Sequence, residues 1–258
     1  MEKKVIVEFP VNIKIGSVEI PSHLIFEIAA YTLGFRYFLY LRKRTEDRIS
    51  TEHRTVLFIA AAAGALLGSR VIGILEDPGL FTDEFSFVMV MSNKTILGGL
   101  FGGLLAVEIC KKIIGVTTSS GDLMTFPLLL AMIIGRVGCF LAGLEDGTYG
   151  VASKLPWAMD LGDHIYRHPT NLYEIFFLAL VWLFILLLEK NHVLSNGSRF
   201  KIFLLSYFVF RFCIEFIKPV YKIGFGLSAI QLTSLAGIIY YYKVILYPRS
   251  LIQKPSHA

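Results

Sequence analysis

The sequence predicts an all-α polytopic membrane protein with about seven transmembrane helices. Hydrophobic residues make up 55 % of the 258 residues and charged residues only 17 %, whereas soluble domains carry about 25 % charged residues. The mean hydropathy is +0.62. Seven apolar runs are each close to the roughly 20 residues that cross a bilayer core: 21–41, 55–75, 95–114, 123–144, 170–188, 200–217 and 227–247.

The charged residues between these runs predict the orientation of the chain. Basic residues crowd the first, third and fifth connections, and acidic residues occupy the second and fourth. The positive-inside rule therefore places the N-terminus outside and the C-terminus in the cytoplasm. This gives an extracytoplasmic arm (1–20), a transmembrane domain (21–247) with outer loops at about 76–94 and 145–169, and a cytoplasmic tail (248–258).

The net charge and the cysteines indicate neither a nucleic-acid partner nor a metal. The net charge of +5 is divided among short loops, so it reflects membrane topology and not a nucleic-acid-binding face. Alternating apolar and polar residues at 5–20 predict a short strand or an amphipathic arm. The three cysteines lie in apolar runs without metal-ligand spacing and are interpreted as small core residues: Cys110, Cys139 and Cys213. No metal or soluble cofactor is expected.

Glycines at four-residue spacing predict close contacts between helices. Gly64 and Gly68 form one such pair, which is interpreted as helix packing. A denser cluster in the third run contains two interleaved pairs: Gly98 with Gly102 and Gly99 with Gly103. For this cluster, packing and a flexible or ligand-facing role remain equally open.

Six of the charged residues inside the apolar runs fall at one level, nearer the outer surface. Counted at about 1.5 Å per helical residue, the three arginines lie about 18–22 Å above the inner boundary. The six residues are Arg70, Arg136, Arg211, Glu27, Glu174 and Glu215. A seventh, Glu108, lies near the inner boundary, where a pair with the neighbouring lysines is expected.

This layer of charges has two interpretations. Ion pairs such as Arg211 with Glu215 or Arg70 with Glu27 would lock the helices together, and any single pair fits that interpretation. Buried ion pairs add little net stability, however, because desolvation consumes the Coulomb gain. Several arginines at one depth therefore favour an anionic ligand, and the abundant anion at that depth is a phospholipid phosphate.

Five segments resemble one known family. The stretch Gly135-Arg136-Val137-Gly138-Cys139-Phe140 is similar to a motif of the prolipoprotein diacylglyceryl transferases. His168-Pro169-Thr170-Asn171-Leu172-Tyr173-Glu174 resembles their H-P-S-Q-L-Y-E, and Phe210 to Phe216 resembles R-F-x-x-E-F. Gly98-Gly99-Leu100 and Gly226 to Leu232 also resemble family segments. The order and spacing match over nearly the whole chain. The resemblance implies seven transmembrane helices, an outside N-terminus and the bacterial inner membrane.

The resemblance also implies a reaction. Enzymes of this family move diacylglycerol from phosphatidylglycerol to a lipobox cysteine of a lipoprotein precursor and release glycerol phosphate. Arg136 and Arg211 would then hold the phosphate and stabilise charge on the leaving group. Glu215 would orient Arg211, and Tyr173 or Glu174 would position the head group. The remaining expected substrate contacts are Arg70, Gly98, Gly99, Gly138, Cys139, Asp146 and Tyr149.

The general base remains open. His168 is either the base that deprotonates the acceptor thiol or a residue that caps the fifth helix. Glu145 or Asp146, in the loop after the fourth apolar run, is the alternative base.

Three positions depart from the family pattern. Leu97 replaces a histidine, and Cys139 and Ala142 replace two asparagines. Three readings follow: the family activity, a divergent transferase with a different acceptor, and a non-catalytic phospholipid-binding protein. A transporter is disfavoured because the charges define no path to the inner face and no inverted repeat is visible.

Overall fold

The computed structural model describes residues 9–45, 47–77, 79, 93–223 and 225–253. Most of the predicted outer loop 76–94, and the outermost parts of the predicted arm and tail, lie outside the described residues. Within them, a helix lies on each predicted apolar run: α1 Ser22–Arg44, α2 Thr51–Glu76, α3 Ile96–Ile114, α4 Asp122–Ala142, α5 Thr170–Asn191, α6 Ser198–Ile214 and α7 Ala229–Tyr240. The last run is not continuous, because it breaks at Tyr241 before a short helix, α8 (Tyr242–Leu246).

Four helices among the described residues are long and apolar enough to cross a membrane: α1, α2, α4 with the turn that follows it, and α5. The other three helices do not meet these requirements of length and apolarity, for identifiable reasons. Helix α3 contains Glu108, Lys111 and Lys112, whereas α6 and α7 have only 17 and 12 residues. The chain is therefore a mostly helical membrane protein, and the count of seven spans and the orientation stay predictions. Lys111 Nζ lies 3.1 Å from Glu108 Oε1, which confirms the expected pair.

The chain forms two compact units. The first comprises Met1–Thr45, Leu123–Lys190 and Ile217–Pro219 and contains α1, most of α4 and α5. Its N-terminal hairpin pairs β1 (Asn12–Ile15) with β2 (Val18–Pro21). This hairpin confirms a strand within the predicted arm.

Aromatic and glycine contacts pack the three helices of this first unit. The ring of Trp182 on α5 stacks at 6.1 Å on Tyr37 of α1 and lies 5.3 Å from Phe126 of α4. A Cβ on Gly138 of α4 would lie 2.7 Å from the Cβ of Phe26 on α1. Only a glycine therefore allows α1 this close to the C-terminal end of α4.

The second unit comprises Glu46–Asp122, Asn191–Phe216 and Val220–Ala258. Its helices α2 and α3 meet through the predicted glycines. A Cβ on Gly68 would lie 2.4 Å from the carbonyl oxygen of Gly98, and a Cβ on Gly64 would lie 2.5 Å from that of Gly102. Packing is thus the role of these four glycines.

The cysteines are free thiols, as expected, but only one is a core residue. Cys139 is buried, Cys110 is half-buried and Cys213 is exposed on the surface of its unit. The prediction of a core position was wrong for Cys213. A helix in a membrane has apolar residues on its lipid-facing side as well as in its core, so apolarity alone does not separate the two.

Candidate active site

Arg136 on α4 is the centre of a polar site in the first unit. Its side chain is 3 % exposed, and its Nε lies 2.9 Å from Oε1 of Glu174 on α5, which is similarly buried. One of its terminal nitrogens, NH1, lies 3.8 Å from the Sγ of Cys139, one helical turn further on. The structure thus brings three predicted site residues together, and Glu174 is the partner that balances the charge of Arg136.

A second group of polar side chains lies close to Cys139 in space. The Nε2 of His23, in the first turn of α1, lies 3.4 Å from Oδ1 of Asp146. Thr148 places its hydroxyl against Oδ2 of Asp146 and 2.8 Å from Oδ1 of Asn171. The donor atoms of His23, Cys139 and Asp146 all lie within 4.8 Å of one another. This group is the His23–Cys139–Asp146 cluster.

The loop after α4 positions His168 above α5. Gly150 N donates to His168 O at 3.2 Å, and His168 N donates to Val151 O at 3.1 Å. A Cβ on Gly150 would lie 2.6 Å from the His168 Cβ, so only glycine permits this pairing. The residue is thereby fixed by backbone hydrogen bonds on both sides.

The ring of His168 contacts Tyr173, the other predicted head-group residue. The Tyr173 hydroxyl lies 3.2 Å from Nδ1 of His168 and accepts a hydrogen bond from Nε1 of Trp157 at 2.7 Å. The Tyr173 hydroxyl accepts from the indole N–H and still has a proton that it can donate to Nδ1 in one tautomer of His168. The neutral imidazole would then carry its proton on Nε2, where it is a hydrogen-bond donor.

A guanidinium in the same loop contacts the ring of Tyr149. The Arg167 guanidinium lies 5.1 Å from the centre of the Tyr149 ring, a cation–π distance. Its Nε also lies 3.2 Å from Oδ2 of Asp163. The adjacent guanidinium lowers the pKa of the Asp163 carboxyl, and this carboxylate raises the pKa of Arg167. Glu145 is exposed in the turn Gly143–Asp146.

The second unit carries the remaining predicted residues. Arg211, in the last turn of α6, and Glu215, which directly follows that helix, are both buried and form an ion pair, as the four-residue spacing predicts. Arg70 NH1 donates to the carbonyl of Asn93 at 3.2 Å. Among the residues that the structure describes, nothing accepts a hydrogen bond from its buried Nε.

The two predicted glycines of α3 behave differently. Gly98 lies against the α2 backbone, whereas a Cβ on Gly99 would have its nearest neighbour at 3.6 Å, an ordinary van der Waals distance. Packing therefore explains Gly98 and leaves Gly99 unexplained. Gly138 is explained by the close approach of α1.

Sequence reasoning missed His23, Trp157 and Asn171. A usable signal existed for His23, because it stands four residues before Glu27 in the first apolar run, on the same helical face. His23 Nδ1 lies 3.9 Å from the carboxylate oxygen Oε2 of Glu27. No comparable signal marks Trp157, which lies in an irregular loop.

A family model for prolipoprotein diacylglyceryl transferase matches residues 10–247. Relatives named phosphatidylglycerol–prolipoprotein diacylglyceryl transferase are similar over most of their length. The one from Wolbachia pipientis subsp. Culex pipiens (strain wPip) is 31 % identical and covers 89 % of this chain and 91 % of its own. The Vibrio atlanticus relative is 30 % identical, covering 89 % and 87 %, and the Clostridium tetani relative 29 %, covering 77 % and 82 %. The chain belongs to the prolipoprotein diacylglyceryl transferase family.

Proposed function

We propose that this chain is a membrane-embedded transferase of the bacterial cytoplasmic membrane. It would move the diacylglyceryl group of phosphatidylglycerol to the lipobox cysteine of a lipoprotein precursor and release glycerol phosphate. The observation that carries the proposal is Arg136, a permanently charged side chain buried beside Glu174 and Cys139. The names and extent of the similar relatives support the same substrates.

The reaction exchanges a C–O bond for a C–S bond. The acceptor sulfur attacks the glyceryl carbon that is esterified to phosphate, and the phosphate oxygen leaves with the bonding electrons. Arg136 would bind the phosphate through its planar guanidinium and stabilise the charge that grows on the leaving oxygen. Glu174 keeps that guanidinium in one orientation. Arg211 and Glu215 remain predicted phosphate-site residues through the resemblance.

We assign His168 the role of a hydrogen-bond donor in the tautomer that accepts from Tyr173. With Nδ1 facing the Tyr173 hydroxyl, its Nε2–H is available to donate a hydrogen bond to a phosphate oxygen. The acceptor must lose its proton before it attacks, because the thiolate is the nucleophile.

The test supplies the purified protein with labelled phosphatidylglycerol and a lipobox peptide, with and without Arg136→Ala. The matched control is Arg36→Ala, since Arg36 is an exposed arginine of α1 in the same unit. The expected product is a thioether-linked peptide that Arg136→Ala abolishes and Arg36→Ala leaves unchanged. Release of glycerol phosphate without a lipidated peptide would indicate another acceptor. Phospholipid binding without either product would indicate a non-catalytic protein.

The proposed topology has its own test. With seven spans, the arm 1–20 and the loop 145–169 lie outside, and the tail 248–258 lies in the cytoplasm. A membrane-impermeant thiol reagent should label single cysteines placed at Lys14 and Asp163, and should not label one placed at Gln253. Labelling at Gln253 in intact cells would contradict the orientation.

A further inference from the structure

The His23–Cys139–Asp146 cluster combines one imidazole, one thiol and one carboxylate. Each offers one donor atom, and the three atoms lie within 4.8 Å of one another. Cys139 is 8 % exposed, and the side chains of Asp146 and His23 are 9 % and 31 % exposed. The cluster is therefore sunk into the unit but reachable from one side, through His23.

Three separate parts of the chain build this arrangement. Gly138 lets α1 approach α4, and its absent Cβ would lie 3.4 Å from the Cα of His23. Cys139 is the next residue of α4, and Asp146 ends the turn that follows. The hydroxyl of Thr148 then fixes the carboxylate through Oδ2.

The spacing of the imidazole nitrogen and the carboxylate oxygen fits a shared metal ion. Charge-assisted N–H···O bonds are about 2.7–2.9 Å long, whereas His23 Nε2 and Asp146 Oδ1 are 3.4 Å apart. Zinc bonds of about 2.1 Å to nitrogen and oxygen, arranged tetrahedrally, place two such donor atoms about 3.4 Å apart.

The charges around the cluster are consistent with a divalent cation. A thiolate and a carboxylate together supply two negative charges, which match one Zn²⁺. The charge of Arg136, 3.8 Å from the sulfur, is balanced by Glu174. Thr148 is an outer partner that contacts Asp146, and the Glu27 carboxylate lies 3.9 Å from the second ring nitrogen of His23, beyond hydrogen-bond distance. Ligating histidines and carboxylates usually have such partners.

We propose that His23, Cys139 and Asp146 bind one Zn²⁺ ion with an open fourth position, and that this position takes the acceptor thiol as a thiolate. Three protein ligands with one open position are typical of catalytic zinc, and a thiol that coordinates zinc is deprotonated. The thiolate role rests on the proposed function, whereas the metal site does not.

The resulting step is balanced. The acceptor S–H proton passes to solvent on coordination, and a sulfur lone pair forms the bond to the glyceryl carbon. The C–O bond breaks with its electrons on glycerol phosphate, beside the guanidinium of Arg136. No oxidant or reductant is involved. The step needs no histidine base, which agrees with the donor role of His168.

The first test measures metal binding alone. Purified protein equilibrated with Zn²⁺ and desalted should contain one zinc ion per chain by plasma mass spectrometry. Cys139→Ser, His23→Gln and Asp146→Asn should each weaken Zn²⁺ affinity by at least about 100-fold. The matched control Cys213→Ser removes an exposed thiol and should retain one ion. With Co²⁺ in place of zinc, thiolate-to-metal charge-transfer absorption should appear, and Cys139→Ser should remove it.

A second variant protects this test against misfolding. Cys139→Asn introduces the residue that the family resemblance assigns to this position, so it should preserve the fold while losing the metal. The site is supported if Cys139→Asn contains no zinc and unfolds thermally at the same temperature as the zinc-free wild-type protein. Absence of zinc from the wild-type protein, or equal zinc in Cys139→Asn and wild type, overturns it.

Activity separates the two proposals. If the metal-stripped protein still forms the thioether at the full rate, the thiolate role is wrong and the transferase function stands. If zinc binds at the three residues but no thioether forms, the transferase function is wrong and the metal site stands. Loss of activity on stripping and recovery with Zn²⁺ supports both.

Discussion

Arg136 and Arg211 are equally buried, each 3 % exposed, and each is paired with a buried glutamate. Their pairs are built differently. Glu215 follows Arg211 by four residues, so this pair forms wherever the helix forms. Glu174 lies on another helix than Arg136, and this pair depends on the packing of α4 against α5. Arg136 also lies 3.8 Å from the thiol of Cys139, and that thiol lies beside the pair of His23 with Asp146. Equal burial therefore does not imply equal chemistry.

The largest expected effect is on Arg136. Arg136→Ala should lower the rate of thioether formation by at least about 100-fold, as expected when one preorganised donor to a developing oxyanion is removed. It also takes the cation from beside the buried Glu174 carboxylate, which should cost about 3–5 kcal/mol of stability. Initial rates and denaturant unfolding in detergent measure the two effects.

A double variant separates the effect on activity from the effect on stability. Arg136→Met combined with Glu174→Leu replaces the ion pair by apolar side chains of similar size, which is often neutral for stability. It should unfold like the wild type and remain inactive. Activity in this variant would show that Arg136 serves only the structure and would remove the contrast with Arg211.

The next effect concerns Arg211. Arg211→Ala should weaken phosphatidylglycerol binding by about 10-fold, equivalent to about 1.4 kcal/mol, because a cation for the phosphate is lost. Binding of labelled lipid to the purified variant is the measurement. Arg211→Met with Glu215→Leu provides the folded control. Unchanged affinity in both variants would make the Arg211–Glu215 pair purely structural.

A glycine pair sharpens the comparison by providing a pure stability loss. Gly98→Ala should destabilise the protein by about 1–3 kcal/mol, because its Cβ would lie 2.4 Å from the Gly68 carbonyl oxygen. Gly99→Ala meets its first neighbour at 3.6 Å and should unfold like the wild type. If Gly98→Ala is destabilised but stays active when folded, a loss of stability alone does not abolish activity. The activity losses of the arginine variants would then reflect the loss of the guanidinium groups. Equal destabilisation by both alanines would contradict the packing assignment.

The smallest effect is expected in the loop that holds Tyr149. The lowered pKa of Asp163 means that its pair with Arg167 stabilises the protein above the ordinary pKa of about 3.9. That contribution is lost as the pH falls through the lower, folded-state pKa. Asp163→Asn should therefore slightly lower the melting temperature near neutral pH and leave no difference from wild type in strong acid. A constant difference at all pH values would indicate another origin.

The sequence predicted what depends on local spacing. Hydrophobic periodicity predicts helices on all seven apolar runs. Spacings of three or four residues predict the Arg211–Glu215 pair, the Glu108–Lys111 pair and the packing role of Gly64 and Gly68. These features need no knowledge of which helices become neighbours.

The His23–Cys139–Asp146 cluster could not be predicted in this way. His23 and Cys139 are far apart in the sequence, and they meet because Gly138 brings α1 onto α4. Cys139 alone had no ligand spacing, so it was interpreted as a core residue. The pair of Arg136 with Glu174 has the same cause, since it depends on which helix packs beside α4.

The contact between α2 and α3 has a consequence for the order of assembly. Glycines lose no side-chain rotamer freedom when they are buried, and their contact depends on backbone van der Waals packing and not on the exclusion of water. We therefore expect these two helices to associate as a hairpin in the bilayer before α6 and α7 join them. The α2–α3 hairpin would then be the template on which the second unit is completed.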